Sequence, residues 1–251
     1  MKFDNIRVYN FENAMRGMRN PLESWHKSDS YYGIAFNDCE EILRLTHDNP
    51  YQIIYTDGDV CEYASIGPED IRLAQRLINA GSEHRKFMRQ IFVSIDVTAP
   101  IYWWKEMDTY KLGTTANSTS TMHKLASKPI TLDCFEIDDY SPEIYDDNAD
   151  PLIQKLDIDA HVKEDLIPFY ELLRNKYLET KDVRYWKELV RWLPMGWLQT
   201  RTWTCNYENL FSMVRQRENH KLTEWHQFVD TVHTLPYANE LIFLNNPNEE
   251  E

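Results

Sequence analysis

The spacing of apolar residues along the chain alternates between a helical period and a strand period. Over Pro68–Ala80 the apolar positions fall three and four residues apart, which predicts an amphipathic helix, and Gly81 suits the residue that follows a helix end. Across Gln90–Val97 every second residue is a branched aliphatic residue, which predicts a strand with one buried face. The alternation over Leu198–Cys205 predicts another strand.

Shorter segments of both kinds fill much of the remaining chain. Helices are also predicted at Phe11–Arg19, from Val162 to Tyr177, at Trp186–Trp192, at Leu210–Val214 and at Trp225–Val232. Strands are also predicted at Ile6–Phe11, Tyr51–Tyr55 and Val60–Ala64, with a turn at Asp57-Gly58, an irregular remainder of residues 22–67 and an exposed acidic loop at Asp138–Asp150. This order predicts the fold class α/β (α+β): a single domain over residues 1–251, with a central twisted sheet flanked by helices.

The segment Val97–His123 changes character half-way. Its first half is apolar and aromatic, with a short helix expected to begin at Pro100, whereas Gly113–Thr121 is small and rich in hydroxyl groups. Hydroxyls and closely approaching backbone N–H groups can cradle an anion such as a phosphate. A polar surface loop or a set of helix caps would use the same residue types, so both interpretations stay open.

Composition narrows the class of protein. A chain of 251 residues with 42% hydrophobic residues and only 7 glycines can bury a sizeable core. The net charge of −14 argues against binding to a nucleic-acid polymer, although one anionic small molecule could still occupy a local basic pocket. No apolar run approaches the roughly 20 residues that a membrane span needs, so a soluble cytoplasmic protein without a membrane partner is expected.

The cysteines and the motif content point away from chemistry carried by the side chains alone. Cys39, Cys61, Cys134 and Cys205 lack CxxC or metal-ligand spacing, so free thiols and no metal site are expected. Nucleophilic triads, phosphate loops, dinucleotide fingerprints and HExxH motifs are also absent from the sequence. This combination suits an enzyme whose cofactor supplies the reactivity.

Basic residues are scarce, which makes their positions informative. Glu188 and Arg191 are spaced to share one helix face, and Arg215 and Arg217 end a predicted helix. Guanidinium groups bind phosphates and carbonyl edges through paired donors. The alternatives are an intrahelical ion pair for Arg191 and ordinary cation placement at a helix C-terminus for Arg215 and Arg217.

Three segments, in matching order over roughly residues 70–230, resemble the flavin-dependent thymidylate synthases. The first is Ser82–Phe87, where His84 is nearest to a family histidine that helps to place the flavin. The second is Val97-Thr-Ala-Pro-Ile followed by the polar run. The third combines Glu188-x-x-Arg191, Leu193-Pro194, Trp203-Thr-x-Asn206, Leu210 and Arg217, with the family separation of Asn206 and Arg217.

The polar run departs from the family signature Arg-His-Arg-x-x-Ser-x-Asn-Glu-x-Ser-x-Arg-Tyr. Without gaps, the Arg-His-Arg positions hold Thr109, Tyr110 and Lys111. A one-residue shift would instead match Asn117 and Ser120. Lys111 supplies one point charge where the family has paired forks, so the resemblance supports the fold more strongly than the activity. Without the shift, the later signature positions hold Thr114, Ala116-Asn117, Thr119 and Thr121-Met122.

The resemblance implies reductive methylation of dUMP to dTMP, with methylenetetrahydrofolate as the carbon donor and FAD, reduced by NADPH, as the hydride donor. It also implies a homotetramer with shared active sites. The alternatives are another modification at C5 of a pyrimidine nucleotide, such as hydroxymethylation, and a non-catalytic nucleotide-binding homologue. The residues implied are Arg191 and Arg217 as catalytic and nucleotide-binding arginines, Glu188, Thr119, Ser120 and Thr121 at the nucleotide, and His84, Tyr110, Lys111, Thr114, Asn117 and Asn206 at the flavin.

Overall fold

The computed structural model describes residues 1–36, 52–57, 60–137, 143–145, 155–157 and 160–244, with 52–57, 143–145 and 155–157 described by their backbone alone. Within the chain, contacts define two units. Unit 1 comprises Met1–Lys2, Val97–Thr109 and Asn117–Arg201, and unit 2 comprises Phe3–Asp96, Tyr110–Ala116 and Thr202–Glu251.

The described elements are helices and strands in mixed order, as the sequence predicts. The strands are β1 (Lys2–Tyr9), β2 (Tyr31–Phe36), β3 (Gln52–Asp57), β4 (Val60–Ser65), β5 (Phe92–Pro100), β6 (Thr115–Ser118), β7 (Glu143–Tyr145), β8 (Lys155–Asp157) and β9 (Leu198–Asn206). The α-helices are α1 (Phe11–Met18), α2 (Pro68–Asn79), α3 (Ile101–Met107), α4 (Ile167–Thr180), α5 (Val183–Arg191), α6 (Tyr207–Arg217) and α7 (Thr223–His233).

The strands form sheets of different sizes. A four-stranded sheet has the order β1-β5-β9-β6, which places β6 at one edge, and β7 pairs with β8 in a two-stranded sheet. In the three-stranded sheet β2-β4-β3, both pairs are antiparallel. The predicted mixed α and β class with a sheet of several strands is confirmed.

Aromatic rings fill much of the core of unit 2. Phe11, at the start of α1, meets the edges of Tyr207 and Tyr237 at centroid distances of 5.5 and 5.9 Å. The Tyr237 hydroxyl also accepts a hydrogen bond from the Ile66 N–H and donates one to the Ala64 carbonyl. Edge-to-face packing of this kind adds stability beyond the area that the rings bury. This core therefore joins α1, the end of β4 and the start of α6.

Unit 1 has an apolar cluster of its own around α4 and α5. Tyr170 is 4% exposed, and its hydroxyl donates to the Trp192 carbonyl at 2.5 Å. The indoles of Trp103 and Trp104 are fully buried on α3, with their rings 5.0 Å apart. The other buried members of the α4–α5 cluster are Leu125, Ile130, Phe135 and Leu189.

The strongest periodic patterns are confirmed with small changes at their ends. The predicted helix Pro68–Ala80 is α2, and Gly81 follows it with a φ of +111°, the left-handed conformation that glycine adopts without strain. The predicted helix from Val162 begins as a π-helical turn, His161–Leu166, before α4. Gly58, Cys39 and most of the predicted loop Asp138–Asp150 lie outside the described residues.

Strand β2 corrects the expectation that the remainder of residues 22–67 is irregular. Its sequence, Tyr-Tyr-Gly-Ile-Ala-Phe, does not alternate, and Tyr31, Ile34 and Phe36 are all exposed. Gly33 lies directly opposite Tyr63 on β4, and a Cβ atom at Gly33 would collide with the Tyr63 ring. Strand β2 therefore pairs with β4 through the packing of the Tyr63 ring on Gly33. It lacks the alternating buried residues by which a strand is normally recognised in a sequence.

No helix within the described parts of the chain has the length and the apolar character that a membrane crossing requires.

A buried ion pair fixes the start of α2 in unit 2. Asp70 is fully buried, and its Oδ1 accepts hydrogen bonds from Arg19, whose side chain is 6% exposed. The Ser28 and Ser30 hydroxyls donate to the other carboxylate oxygen at 2.5 and 2.6 Å. Because the carboxylate is hydrogen-bonded on both oxygens, the desolvation cost of both charges is offset inside this network.

We expect Asp70→Asn to lower the free energy of unfolding by about 3 kcal/mol or more, because it leaves the Arg19 guanidinium buried without its counter-charge. Urea unfolding followed by tryptophan fluorescence measures the change. Glu69→Gln is the matched control, since Glu69 is the preceding residue and its side chain is 63% exposed beside Arg72. Equal urea midpoints for Asp70→Asn and Glu69→Gln would contradict a structural role for the buried pair.

Candidate functional site

In unit 1, Arg191 lies at the end of α5 and is paired within its own helix. Its Nη1 donates to Glu188 Oε1 at 2.5 Å, and the other carboxylate oxygen of Glu188 accepts from the Trp192 indole at 3.0 Å. The intrahelical ion pair that the sequence offered as an alternative is therefore present. The Arg191 side chain is 50% exposed, so the guanidinium, which has five N–H donors in all and uses Nη1 for Glu188, is still in contact with solvent.

The polar run that follows β5 and α3 is an exposed edge strand and then a turn. All four residues of β6 are exposed. The Thr119 N–H donates to the Thr200 carbonyl, and the Thr119 carbonyl accepts from the Gln199 amide, both at 2.9 Å. The Ser120 hydroxyl accepts from the His123 N–H at 3.0 Å. The run is thus extended, and its backbone does not form the loop of converging amides that an anion cradle needs.

A tryptophan fixes α5 beside this turn. The Trp186 indole donates to the Met122 carbonyl at 3.0 Å, just after the polar run. Helix α5, with Glu188 and Arg191, therefore belongs to the same unit as residues 117–121 and is hydrogen-bonded to the residue that follows them. Thr119, Ser120, Thr121 and Asn117, all predicted as site residues, lie in this unit as well.

Arg201 is a polar residue of unit 1 that the sequence analysis missed. It lies on β9, donates to Asp108 at 2.7 Å and to the Gln199 amide oxygen at 3.1 Å, and covers the Trp104 ring at 4.3 Å. Its side chain is 16% exposed. The Gln199 amide in turn donates to the Thr119 carbonyl, so Arg201 stabilises the polar run through Gln199. In the sequence, the feature that could have drawn attention to Arg201 is an arginine within an alternating strand.

In unit 2, two asparagines cap the first turn of α6. Asn206 Oδ1 accepts from the Asn209 N–H at 3.0 Å, and Asn209 Oδ1 accepts from the Asn206 N–H at 3.1 Å, which makes a reciprocal capping box. Asn209 Nδ2 also donates to the Leu112 carbonyl at 2.8 Å. The next residue, Gly113, has a φ of +75°, and a Cβ there would lie 3.0 Å from Asn206 Nδ2. The loop that carries Lys111 is thus attached to the helix start.

The other end of α6 brings together two residues that the resemblance implies for different ligands. Arg217 Nε donates to the Tyr110 hydroxyl at 2.8 Å, and that hydroxyl donates to Gln216 Oε1 at 3.1 Å. The Arg217 guanidinium carbon lies 4.5 Å from the ring centre of Trp225, which is fully buried. Thr114 donates its hydroxyl to the Tyr110 carbonyl. Lys111 is exposed between these attachments.

Arg215 has the structural role that the sequence offered as its alternative. Its Nη1 donates to the Phe211 and Ile242 carbonyls at 3.2 and 3.0 Å, and its guanidinium covers the Phe211 ring. These contacts add a hydrogen bond to one carbonyl within α6 and join the helix to the segment that follows α7. Burial lowers the pKa of the Arg215 guanidinium.

His84 precedes a short 3₁₀ segment that is ion-paired to α6. Arg85 Nε donates to Glu208 Oε1 at 3.0 Å, and Arg89 pairs with the same carboxylate. Burial acts to raise the pKa of Glu208, but the hydrogen bonds from Arg89 and Arg85 outweigh it, so the pKa lies below the usual glutamate range. His84 itself is exposed and lines a cleft of about 400 Å³ together with Leu73, Leu77, Lys86 and Phe87.

The cysteines of the described residues differ in burial. Cys61 and Cys205 are buried, Cys134 is half-buried, and none of these three forms a disulfide. Burial raises the pKa of the Cys205 thiol well above its usual value. Cys39 lies outside the described residues.

Comparison with known proteins identifies the fold. No protein-family profile matches the sequence, and no curated protein matches it either. Similar solved structures include two of the flavin-dependent thymidylate synthase ThyX from Helicobacter pylori, both complexed with FAD and dUMP. They match 96% of this chain and 98% and 97% of theirs, with TM-scores of 0.59 and 0.58. The chain has the ThyX fold.

The resemblance found in three sequence segments is confirmed at the level of that fold. The sequence identity to both H. pylori structures is 13%, so the likeness establishes the arrangement of the chain and not its chemistry. Within the ThyX fold, the predicted site residues divide between the two units. Unit 1 holds Asn117, Thr119, Ser120, Thr121, Glu188 and Arg191, and unit 2 holds His84, Tyr110, Lys111, Thr114, Asn206 and Arg217.

We expect Glu208→Gln to lower the stability of the protein at pH 7, because it removes the acceptor of two charged hydrogen bonds. Since the pKa of Glu208 is depressed in the folded state, its contribution is complete above the ordinary glutamate pKa of about 4.3 and disappears as the pH falls through the folded-state pKa. Urea midpoints measured from pH 7 to pH 3 should therefore converge for the wild type and the variant. A constant difference across that range, or an equal effect of Glu164→Gln at an exposed position, would contradict this assignment.

Proposed function

We propose that this protein is an FAD-dependent thymidylate synthase-like enzyme that methylates dUMP reductively to dTMP, using methylenetetrahydrofolate and NADPH. The observation that carries the proposal is the ThyX fold over 96% of the chain, shared with structures that hold FAD and dUMP. Glu188, Arg191, Asn206 and Arg217 add support, since they keep the family's residue types and order. A single domain, a homotetramer and a cytoplasmic location belong to this proposal through the resemblance.

The nucleotide is proposed to bind to the arginines. In unit 1, Arg191 uses Nη1 for Glu188, which leaves other donors of its fork for a phosphate or a uracil carbonyl. Thr119, Ser120 and Thr121 belong to the same unit and supply hydroxyl donors. In unit 2, Arg217 is held by an aromatic ring and a phenol, an environment suited to a fixed cation.

The residues beside His84 fit a flavin in their chemistry. The cleft that His84 lines has apolar walls from Leu73, Leu77 and Phe87 that suit a flat ring, and it also contains the exposed ion pair of Lys86 with Glu83. Lys111 adds an exposed ammonium group on the loop held by α6. When bound, FAD would supply the hydride, and the protein would bind and orient the reactants.

Thr114 and Asn206, two other implied flavin residues, are proposed to act through the loop, to which Tyr110 contributes its carbonyl. Tyr110 uses its hydroxyl for Gln216 and Arg217, and Thr114 uses its hydroxyl for the Tyr110 carbonyl. Asn206 caps α6 and packs against Gly113. These contacts shape the segment that presents Lys111, and no enzyme nucleophile is required by the reaction that the family carries out.

A different modification at C5 of a pyrimidine nucleotide, such as hydroxymethylation, is the second candidate. The observation that favours it is the replacement of the family's Arg-His-Arg by Thr109, Tyr110 and Lys111, with Tyr110 bonded to Arg217. Such a change keeps a nucleotide site while it alters the surroundings of the cofactor.

We expect both FAD and dUMP to raise the melting temperature of the purified protein. A ligand present at 100 times its Kd stabilises the folded state by about 2.7 kcal/mol, which corresponds to an increase of about 5–10 °C for a chain of this size. Arg217→Ala should abolish the dUMP response and keep the FAD response. Arg184→Ala is the matched control, since that side chain is 87% exposed.

The outcomes of this titration separate the candidates. A response to dUMP alone would support a non-catalytic nucleotide-binding homologue, and no response to either ligand would overturn the proposed function. An unchanged dUMP response in Arg217→Ala would remove Arg217 from the nucleotide site.

We expect Thr119→Val to weaken dUMP binding about fivefold, because it deletes one hydroxyl donor while the Thr119 backbone stays bonded to Thr200 and Gln199. FAD binding should be unaffected. Isothermal titration with each ligand measures both affinities, and Thr115→Val, at an exposed position on β6, is the control. Equal losses of dUMP and FAD affinity would indicate a folding defect.

A further inference from the structure

In unit 2, the Arg217 guanidinium lies against the rings of Tyr110 and Trp225, an arrangement referred to below as the enclosure of Arg217. The Tyr110 hydroxyl accepts from Nε at 2.8 Å, and the guanidinium carbon lies 5.5 Å from the Tyr110 ring centre and 4.5 Å from that of Trp225. The two rings meet edge to face at 6.3 Å. Gln216 accepts the proton of the Tyr110 hydroxyl, which orients the oxygen lone pairs toward Arg217.

This enclosure determines the direction of the guanidinium. An arginine side chain has many rotamers, and a ligand that binds it must normally stop their motion. Here the Nε–H is already bonded, and the guanidinium carbon lies over the Trp225 ring. These contacts restrict the orientations of the guanidinium before any ligand arrives, and preorganisation of this kind improves affinity by lowering the cost of binding.

We propose that Tyr110 is a positioning residue for Arg217 and acts on nucleotide binding, not on the flavin that the family resemblance implies for this position. The inference rests on the proposed function, because it takes dUMP as the ligand of Arg217. In this proposal Tyr110 acts on the nucleotide through Arg217, and its hydroxyl is the group that makes the contact. Trp225 supplies the surface against which the guanidinium is held.

The attachment of Tyr110 to the rest of the loop separates this role from a structural one. The loop is fixed independently at Leu112 by Asn209 and at the Tyr110 carbonyl by Thr114. Loss of the Tyr110 hydroxyl alone therefore leaves those two attachments in place. Its effect should appear in the orientation of Arg217 and in the affinity for the nucleotide, with little change in the stability of the protein.

The test uses Tyr110→Phe, Arg217→Lys and the double variant in the full-length protein, with dUMP and FAD titrated separately. Tyr110→Phe should raise the Kd for dUMP five- to thirtyfold, leave the Kd for FAD within twofold, and shift the melting temperature of the free protein by less than about 2 °C. Lysine has no Nε–H, so adding Tyr110→Phe to Arg217→Lys should change the Kd for dUMP less than twofold. Tyr9→Phe, at an exposed tyrosine of unit 2, is the control.

Three outcomes would overturn the proposal. These are an unchanged Kd for dUMP in Tyr110→Phe, a loss that is equally large in the Arg217→Lys background, and a loss of FAD affinity in place of dUMP affinity. In an activity assay, the expected pattern is a raised KM for dUMP with an unchanged kcat, because the hydroxyl acts on binding.

A ligand-free measurement separates this proposal from the proposed function. In ¹⁵N-labelled protein, the Nε–Hε resonance of Arg217, identified by its absence in Arg217→Lys, should be resolved in the wild type and broadened or shifted in Tyr110→Phe. If the resonance behaves in this way but dUMP does not bind to the wild type, the enclosure exists and the proposed function fails. An Arg217 resonance that does not respond to Tyr110→Phe overturns the positioning role itself.

Discussion

The reciprocal hydrogen bonds between Asn206 and Asn209 are the constraint on which the candidate site of unit 2 depends. They satisfy two N–H groups at the start of α6 that a helix leaves without partners, and they set the direction in which the helix leaves β9. The side-chain amide nitrogen of Asn209 donates to the Leu112 carbonyl and so attaches it to the same turn. Because one helix thus anchors both the 110–114 loop and Arg217, a change at its start would be transmitted to both.

The arrangement of charge follows from the scarcity of cations. The chain has 27 lysines and arginines against 41 acidic residues, and several arginines are committed to carboxylates of their own unit. Arg19 with Asp70, Arg85 and Arg89 with Glu208, and Arg201 with Asp108 are of this kind. Such pairs use positive charge to organise the fold. Arg217 also has contacts of another kind, because its Nε donates to a neutral phenol and its guanidinium lies over an indole ring.

The sequence predicted the regular elements well and the side-chain partners poorly. Helix α2 and strands β5 and β9 have strong periodicity, and burial of one face enforces that period. Strand β2 was missed because its glycine is covered by Tyr63 in place of an alternating apolar face. The Glu188–Arg191 pair was foreseen because its members are neighbours on one helix. The Tyr110–Arg217 bond joins residues 107 positions apart, a distance over which local pattern carries no information. Asn209 could have been found from its spacing to Asn206, which is that of a capping box.

The attachment of the 110–114 loop through its main chain has a consequence for how the site can change. Asn209 donates to the Leu112 carbonyl, and Thr114 donates to the Tyr110 carbonyl. Gly113 provides the positive φ of the turn. The side chains of Lys111 and Leu112 are exposed. The identity of those two outward side chains is therefore uncoupled from the path of the backbone. Substitutions at Lys111 and Leu112 can therefore change the charge and shape that the loop offers to a ligand while its backbone keeps the same conformation.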